Sequence, residues 1–187
     1  MSVTPAIQWQ DVTGWETLWA PESGAEIEAK VLAQLQDGYA KGATLFASNY
    51  SFTLPELAAV MSPWGTENLN NRYLFDWSEY ESLNDQKAVA TAVRGLAKNQ
   101  WAIGTAPDGR DILHSKILAI LYTDGTGWTF SGSFNLSSSA AKEFNIADFI
   151  WSRSRAEAFA TEIQGKLSWV LANQQPQPPT SSPPGGW

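Results

Sequence analysis

The segment HSKILAILYTDGTGWTFSGSFN, from His114 to Asn135, contains the only histidine of the chain. Its middle part, residues 123–127, supplies turn residues between two apolar, β-prone runs, which is the pattern of a β-hairpin. On an extended strand, the side chains of His114 and Lys116 leave the same face because they are two residues apart. The return strand is antiparallel, so Ser133 and Asn135 are predicted to lie beside them.

The four side chains at the ends of this hairpin suit an anionic cluster of oxygen atoms. They offer one nucleophile or proton carrier, one cation and two neutral hydrogen-bonding groups. Each has an ordinary structural explanation when taken alone, since a lone histidine is often structural, a strand lysine is often solvated, and Ser and Asn are common turn residues. Together they predict a site at His114, Lys116, Ser133 and Asn135.

Outside the hairpin, strand-like and helix-like segments alternate along the chain. The strand-like segments are 43–52, 72–75, 101–103 and 145–151. Helix-like segments with an apolar face begin near Ser23, Thr53, Asn84 and Ser154. This alternation predicts an α/β fold, an α-β-α sandwich with helices on both faces of a mixed sheet.

The length of 187 residues favours one folded domain with extensions at both ends. Residues 1–22 form an aromatic-rich N-terminal extension, predicted to be short helical or irregular structure. Residues 23–172 form the folded domain. Residues 173–187 are rich in Pro, Gln, Ser and Gly and are predicted to be disordered, because they cannot bury enough apolar surface to offset their ordering entropy.

Composition excludes several classes of site. The chain has no cysteine and one histidine, so disulfides, thiolate metal sites and histidine-rich metal sites are not expected. The net charge of −7 argues against a protein that binds nucleic acid over its whole surface, but it allows a local basic cleft. No transmembrane segment or signal peptide is expected, which favours a cytoplasmic location. The ten tryptophans suit core packing first, with base stacking and a dimer interface as alternatives.

The paired segments His114-Ser115-Lys116 and Gly132-Ser133-Phe134-Asn135 resemble the HxK…GSxN signature of the phospholipase D superfamily, and especially its small single-motif nucleases. The similarity extends to residues 49–57, which resemble the first core strand and its helix, and to residues 145–151, which resemble the strand after GSxN. It covers roughly residues 24–171. The resemblance implies the phospholipase D-like fold with one motif per chain.

The same resemblance implies a catalytic mechanism. The histidine, here His114, would attack phosphorus to form a phosphohistidine, while Lys116, Ser133 and Asn135 stabilise charge on the phosphoryl oxygens. It implies no metal and no cofactor. The two-step chemistry needs two histidines, so a two-fold homodimer with one shared cleft is expected. Apolar residues near the motif are candidates for its interface: Trp128, Phe134 and Trp151.

Two positions depart from the family pattern. Leu121 stands where the family has an aspartate, and Asp124 is a candidate for a displaced equivalent. Phe144 stands where the small nucleases have a glutamate that steadies the catalytic histidine, just before the asparagine that matches Asn145. Glu143, one residue earlier, is a candidate substitute if the strand contains a bulge. Glu143, Asn145 and Asp124 are therefore predicted as supporting residues.

Three functions remain open at this point. The first is a metal-independent phosphodiesterase that cleaves nucleic acid. The second is a phospholipid diesterase, although the sequence has no obvious basic helix for membrane binding. The third is a catalytically idle, phospholipase D-like binding module, which the residues Leu121 and Phe144 and the acidic charge balance would fit.

Overall fold

The computed structural model describes residues 11–66, 70–93, 100–105 and 113–174. Within these residues the chain forms a seven-stranded mixed sheet with the order β1-β7-β6-β5-β2-β3-β4. The strands are β1 Gly14–Ala20, β2 Thr44–Asn49, β3 Arg72–Asp76, β4 Gln100–Gly104, β5 Lys116–Leu121, β6 Gly127–Gly132 and β7 Asn145–Trp151. Strands β2, β3 and β4 pair in parallel, and the other pairs are antiparallel.

Five α-helices and one 3-10 turn connect the strands within the same ranges. The helices are α1 Gly24–Ala40, α2 Leu57–Thr66, α3 Trp77–Ser82, α4 Asn84–Val93 and α5 Arg153–Asn173, and the 3-10 turn is Ala140–Lys142. This order of elements confirms the predicted α/β fold with a mixed sheet that includes the hairpin of β5 and β6. The predicted disorder of residues 173–187 concerns a segment of which the structure describes only the first two residues.

The N-terminal segment differs from the expectation of a helical or irregular extension. Residues 14–20 form β1, an edge strand that pairs with β7 over its whole length. The spacing of Trp15, Leu18 and Trp19 resembles a helix, but their burial follows a strand: Leu18 packs on the core while both tryptophans remain exposed. The boundary predicted at residue 22 lies between β1 and the helix Gly24–Ala40. Because β1 is part of the sheet, it belongs to the folded domain and not to an extension.

Helix α5 begins two residues earlier than the sequence suggests. Its N-cap is Ser152, whose Oγ accepts a hydrogen bond from the N–H of Arg155 at 3.1 Å. Ser154 lies inside the first turn, and its N–H donates to the carboxylate of Asp11 at 2.7 Å. Ser152 and Ser154 both carry a hydroxyl that can cap a helix. The spacing from Ser154 to Glu157 therefore does not by itself identify the N-cap.

The helices divide unequally between the two faces of the sheet. Helices α1, α2 and α4 cover the face that we call the large face, and among the described helices α5 covers the small face. On the large face, α1 buries Ile27, Val31 and Leu35 completely, and each such side chain contributes about 1.5–3 kcal/mol through removal from water. Trp128 and Phe134 are also fully buried, so the prediction that they lie between subunits is wrong, whereas Trp151 is partly exposed.

Candidate active site

The backbone around His114 is held from two sides at one end of the sheet. The carbonyl of Ser115 accepts a hydrogen bond from the N–H of Tyr50 at 2.7 Å, and the N–H of Leu113 donates to Oδ2 of Asp76 at 2.6 Å. Tyr50 directly follows β2, and Asp76 ends β3. Two neighbouring strands therefore fix the segment that carries the histidine.

The side chains of His114 and Lys116 gather around the ring of Tyr50. The imidazole of His114 is exposed, and its centroid lies 5.2 Å from the centroid of the Tyr50 ring. Nζ of Lys116 lies 5.4 Å from the same ring centroid and donates a hydrogen bond to the carbonyl of His114 at 3.3 Å. The structure thus brings an accessible imidazole and an ammonium group close to the same aromatic ring.

Lys116 is buried, with 5 % of its surface exposed. Burial lowers the pKa of its ammonium group, and the Glu79 carboxylate in the first turn of α3 acts in the opposite direction. Within the described ranges, no carboxylate lies within the 4.0 Å of an ion pair with Nζ. An anionic ligand at this position would therefore provide the strong charge partner that the lysine lacks.

Asp76 and Gln86 join the loops around the site, and neither was predicted to do so. Asp76 caps α3 by accepting from the N–H groups of Ser78 and Glu79 at 2.9 and 3.2 Å. The side chain of Gln86 accepts from the N–H of Phe52 at 2.7 Å and donates to the carbonyl of Tyr50 at 3.3 Å. Both residues are fully buried, so these hydrogen bonds are costly to break.

The GSFN segment leaves β6 at the same end of the hairpin. Gly132 has a φ of 145°, and an added Cβ would lie 2.1 Å from the carbonyl oxygen of Ile146, so only glycine fits there. Ser133 is exposed, and its Oγ accepts from the N–H of Ile146 at 3.0 Å. Oδ1 of Asn135 is buried and has no hydrogen-bond partner among the described residues.

These placements bring part of the predicted site together. His114, Lys116 and Gly132 border one cavity, and Ser133 and Asn135 follow Gly132 directly. Within the described part of the chain, no hydrogen bond joins the side chains of His114 or Lys116 to those of Ser133 or Asn135. The serine and the buried Asn135 oxygen are thus placed near the site without direct contact.

The predicted supporting residues lie farther from His114. Asp124 is exposed in the hairpin turn, where Oδ1 accepts from the N–H and Oγ1 of Thr126 at 2.8 and 2.6 Å. Since β5 has six residues, its two ends are about 17 Å apart, and Asp124 belongs to the end opposite His114. The assignment of Asp124 to the site is therefore wrong, because the hairpin is too long for a displaced residue to reach back.

Glu143 and Asn145 flank the position that departs from the family pattern. Phe144 is 94 % exposed, and Glu143 is also exposed. Asn145 begins β7, and its Nδ2 donates to the carbonyl of Ala140 at 3.1 Å. No described contact links any of the three to His114. At this end of β5, the Glu79 carboxylate partly offsets the lowering of the Lys116 pKa by burial.

A cavity of about 570 Å³ adjoins His114 on the side of α5. Its walls come from the start of β5, the end of β6 and one side of α5; they include His114, Lys116, Ser131, Phe159, Lys166 and Trp169. The volume lies within the range of small-molecule binding sites. The exposed imidazole therefore faces an opening large enough for part of a substrate.

In the ranges given above, no three His, Asp or Glu side chains come close enough together to hold a metal ion. None of the helices in those ranges combines the length and apolar character needed to cross a membrane.

Comparisons with known proteins identify the fold. No protein-family model and no curated protein matches the sequence. Among solved structures, Nuc from Salmonella typhimurium, described as a phospholipase D family member, aligns over 83% of this chain and 94% of its own with a TM-score of 0.60 and 18% identity. NucT from Helicobacter pylori aligns over 85% and 96% with a TM-score of 0.57 and 15% identity. Polyphosphate kinase from Porphyromonas gingivalis aligns over 87% of this chain but 26% of its own, with a TM-score of 0.58 and 9% identity. The chain therefore has the phospholipase D-like fold that its motif predicts.

Proposed function

We propose that this chain is a metal-independent phosphodiesterase that cleaves nucleic acid, with His114 as its nucleophile. The observation that carries the proposal is the cluster of His114, Lys116 and Tyr50, of which His114 and Lys116 line a cavity, in a chain with the phospholipase D-like fold. A nucleophile must be accessible, and a cation that stabilises phosphoryl oxygens should be held in place. His114 is exposed and Lys116 is buried, as these two roles require.

In the first step, a neutral imidazole nitrogen of His114 attacks phosphorus. A P–N bond forms and the bond between phosphorus and the leaving oxygen breaks. The leaving oxygen takes a proton from a second, protonated imidazole and departs as an alcohol. The product is a phosphohistidine at His114.

In the second step, the second imidazole, now neutral, removes a proton from water. The water oxygen attacks phosphorus, the P–N bond breaks, and His114 is released with a phosphomonoester product. Both imidazoles end in their starting protonation states, so the cycle is balanced without a metal or cofactor.

Lys116, Ser133 and Asn135 would stabilise the negative charge that develops on the phosphoryl oxygens. Burial lowers the pKa of Lys116, but an incoming phosphate diester supplies the anion that favours the protonated ammonium. The hydroxyl of Ser133 and the amide nitrogen of Asn135 can donate to the same oxygens. Both residues follow Gly132, which lines the cavity, and substrate binding would have to bring their donors to the phosphoryl oxygens.

The second imidazole requires a second copy of the chain, since the sequence contains one histidine. We place the two copies around a two-fold axis so that both His114 side chains enter one cleft. Exposed aromatic surface around the start of β7 supports such an interface: Phe144 is 94 % exposed, and Trp19, 61 % exposed, pairs with Ile146 in the sheet. Ile146 is also the residue that holds Ser133.

A mixing experiment tests the shared cleft. Heterodimers of wild-type and His114→Ala subunits, isolated with two different affinity tags, should be almost as inactive as the double mutant, because each cleft then holds one imidazole. Heterodimers that retain half of the wild-type activity, or a monomer that is active at the assay concentration, would contradict the shared site.

The substrate and the nucleophile are tested together with a cleavage panel. Wild type, His114→Ala and the control Lys142→Ala, which changes an exposed lysine, are incubated with excess EDTA and single-stranded oligonucleotide, plasmid or phospholipid vesicles. We expect nucleic-acid cleavage by wild type and the control, and none by His114→Ala. A strict requirement for divalent ions, or undiminished turnover by His114→Ala, would overturn the proposal.

The two alternative functions correspond to distinct results of that panel. Cleavage of vesicles in place of nucleic acid would assign the site to phospholipid diesters. Binding without cleavage of any substrate would assign the chain to the catalytically idle binding modules, which Leu121 and Phe144 in place of the family's acidic residues would explain.

A further inference from the structure

One side of α5 carries an alternation of cations and aromatic rings that the proposed chemistry does not use. Arg155, Phe159, Lys166 and Trp169 are spaced by four, seven and three residues, so they follow one another along the same side of the helix. Phe159, Lys166 and Trp169 line the cavity of about 570 Å³ that also contains His114. We call these four residues the α5 stripe.

The α5 stripe is not required for packing the helix onto the sheet. The residues that α5 buries are Ala156, Ala160, Ile163, Leu167 and Val170. Phe159 and Trp169 lie beside that buried row and remain partly exposed, and Trp169 rests against the small cluster around Leu167. Two rigid aromatic rings thus form part of the cavity wall with surface left for a ligand.

The cations of the α5 stripe are positioned beside the rings. The guanidinium carbon of Arg155 lies 4.9 Å from the centroid of Phe159, and Nη2 donates to Oγ of Ser131 at 3.4 Å. Nζ of Lys166 pairs with Glu162 at 2.7 Å and donates to Oγ of Ser115 at 3.3 Å. Ser115 lies between His114 and Lys116, so the lysine of the stripe reaches the backbone segment that carries the site.

Alternating rings and cations in a groove are the chemistry that binds single-stranded nucleic acid, since bases stack on rings and phosphates pair with cations. In a duplex the faces of the bases are already stacked, so the rings would have no partner. The cavity wall also contains the aliphatic residues Leu113, Ile117 and Val170. Its two cations, Lys116 and Lys166, favour a ligand that carries phosphate beside its apolar surface over an uncharged acyl chain.

We propose that the α5 stripe is a binding subsite for a single-stranded nucleotide next to the scissile phosphate, with its base stacked on Trp169 or Phe159 and its phosphate near Lys166. The proposal rests on the proposed function, and it narrows the substrate to single strands. The flanking nucleotide would align the diester with His114. Because the chain carries a net charge of −7, the rest of its surface would repel phosphates, and binding would be confined to this cleft.

The test measures binding separately from cleavage. In the His114→Ala background, fluorescence anisotropy gives the affinity for a labelled oligothymidylate, for the same strand with abasic tetrahydrofuran residues, and for a duplex. Trp169→Leu keeps apolar packing but removes the stacking surface, and we expect it to weaken thymine binding about tenfold while abasic binding stays within about twofold. Trp169→Phe should retain most of the affinity.

Two further variants complete the design. Trp15→Ala removes an exposed tryptophan outside the cavity and should leave the affinity unchanged. Lys166→Met should weaken thymine and abasic strands equally and reduce the slope of log affinity against log salt by about one. Circular dichroism and thermal melting confirm that each variant is folded.

Several results would overturn the subsite. Equal losses on thymine and abasic strands in Trp169→Leu, no loss at all, or tighter binding of the duplex than of the single strand would each do so. Vesicle binding that depends on Trp169 would assign the cavity to lipid. The binding measurement does not depend on catalysis. If binding depends on the base but the wild type cleaves nothing, the proposed function alone is refuted. If the wild type cleaves nucleic acid but Trp169→Leu does not change the affinity, the subsite alone is refuted.

Discussion

The two faces of the sheet differ in how completely they are filled. On the large face, α1, α2 and α4 enclose a continuous core with fully buried aromatic rings such as Trp128, Phe130 and Phe149. On the small face, α5 packs through a cluster of five buried residues, Leu74, Ala102, Leu113, Leu167 and Val170, and leaves the cavity next to His114.

This difference indicates that stability and the proposed chemistry depend on separate parts of the same sheet. The large face supplies most of the apolar burial and fixes the strands. The ends of β2, β3, β5 and β6 then present polar side chains at an edge that is only partly covered. Substitutions on the large face should therefore change mainly the free energy of unfolding, and substitutions at the cavity should change mainly binding or cleavage.

A matched pair of phenylalanines gives the largest contrast. Phe130→Ala on the large face removes a fully buried ring and should lower the free energy of unfolding by about 3–5 kcal/mol. Phe159→Ala on the small face removes a partly exposed ring and one cation–π contact, and should lower it by about 1 kcal/mol. Urea denaturation of both variants measures the difference. Equal losses of unfolding free energy in the two variants would show that the two faces contribute alike to stability.

Lys116→Met should lower diester cleavage without lowering the melting temperature. Loss of the cation is expected to lower diester cleavage about 100-fold, as removal of a charge-stabilising group does in other enzymes. The melting temperature should stay the same or rise, because methionine fills the buried position without the cost of burying an ammonium group. A large fall in melting temperature would mean that Lys116 holds the fold together, and Lys142→Ala serves as the control.

The same variant carries a pH dependence. Burial lowers the pKa of Lys116 in the folded state, so the folded lysine loses its proton at a lower pH than the unfolded one. Below the folded pKa the lysine is charged in both states and its burial is unfavourable; as pH rises through that pKa, the penalty disappears. The stability advantage of Lys116→Met should therefore shrink from pH 7 towards pH 10 in urea denaturation. A stability advantage of Lys116→Met that grows with pH would contradict burial as the cause of the lowered pKa of Lys116.

The smallest effect is expected at the far end of the hairpin. Asp124→Ala removes the acceptor of the Thr126 hydrogen bonds, which should slightly lower the melting temperature and leave diester cleavage within about twofold of wild type. A large loss of cleavage would return Asp124 to the site and contradict its placement at the opposite end of β5.

Local spacing predicted the hairpin well, because the turn residues between β5 and β6 are neighbours in the sequence. The strand predicted to carry both His114 and Lys116 begins only at Lys116, so His114 lies two residues before β5. Contacts between distant elements were not visible in the sequence. Tyr50, Glu79 and Gln86 reach the site from β2, α3 and α4 through the order of strands in the sheet.

The errors have the same origin. Asp124 is close to Lys116 along the chain, but the length of β5 separates them in space. Trp128 and Phe134 are near the motif, but their burial depends on which face of the sheet each side chain meets. Spacing along the chain describes a strand or a helix, whereas distances across a sheet depend on register and on the packing of layers.

The stereochemical course of cleavage tests the central claim most directly. A diester substrate with a phosphorothioate of one known configuration at the scissile phosphorus is hydrolysed in ¹⁸O-labelled water, and the configuration of the chiral product is determined. Attack by His114 followed by attack of water inverts phosphorus twice, so the account predicts net retention. Net inversion would show a single displacement by water and would contradict the phosphohistidine intermediate at His114.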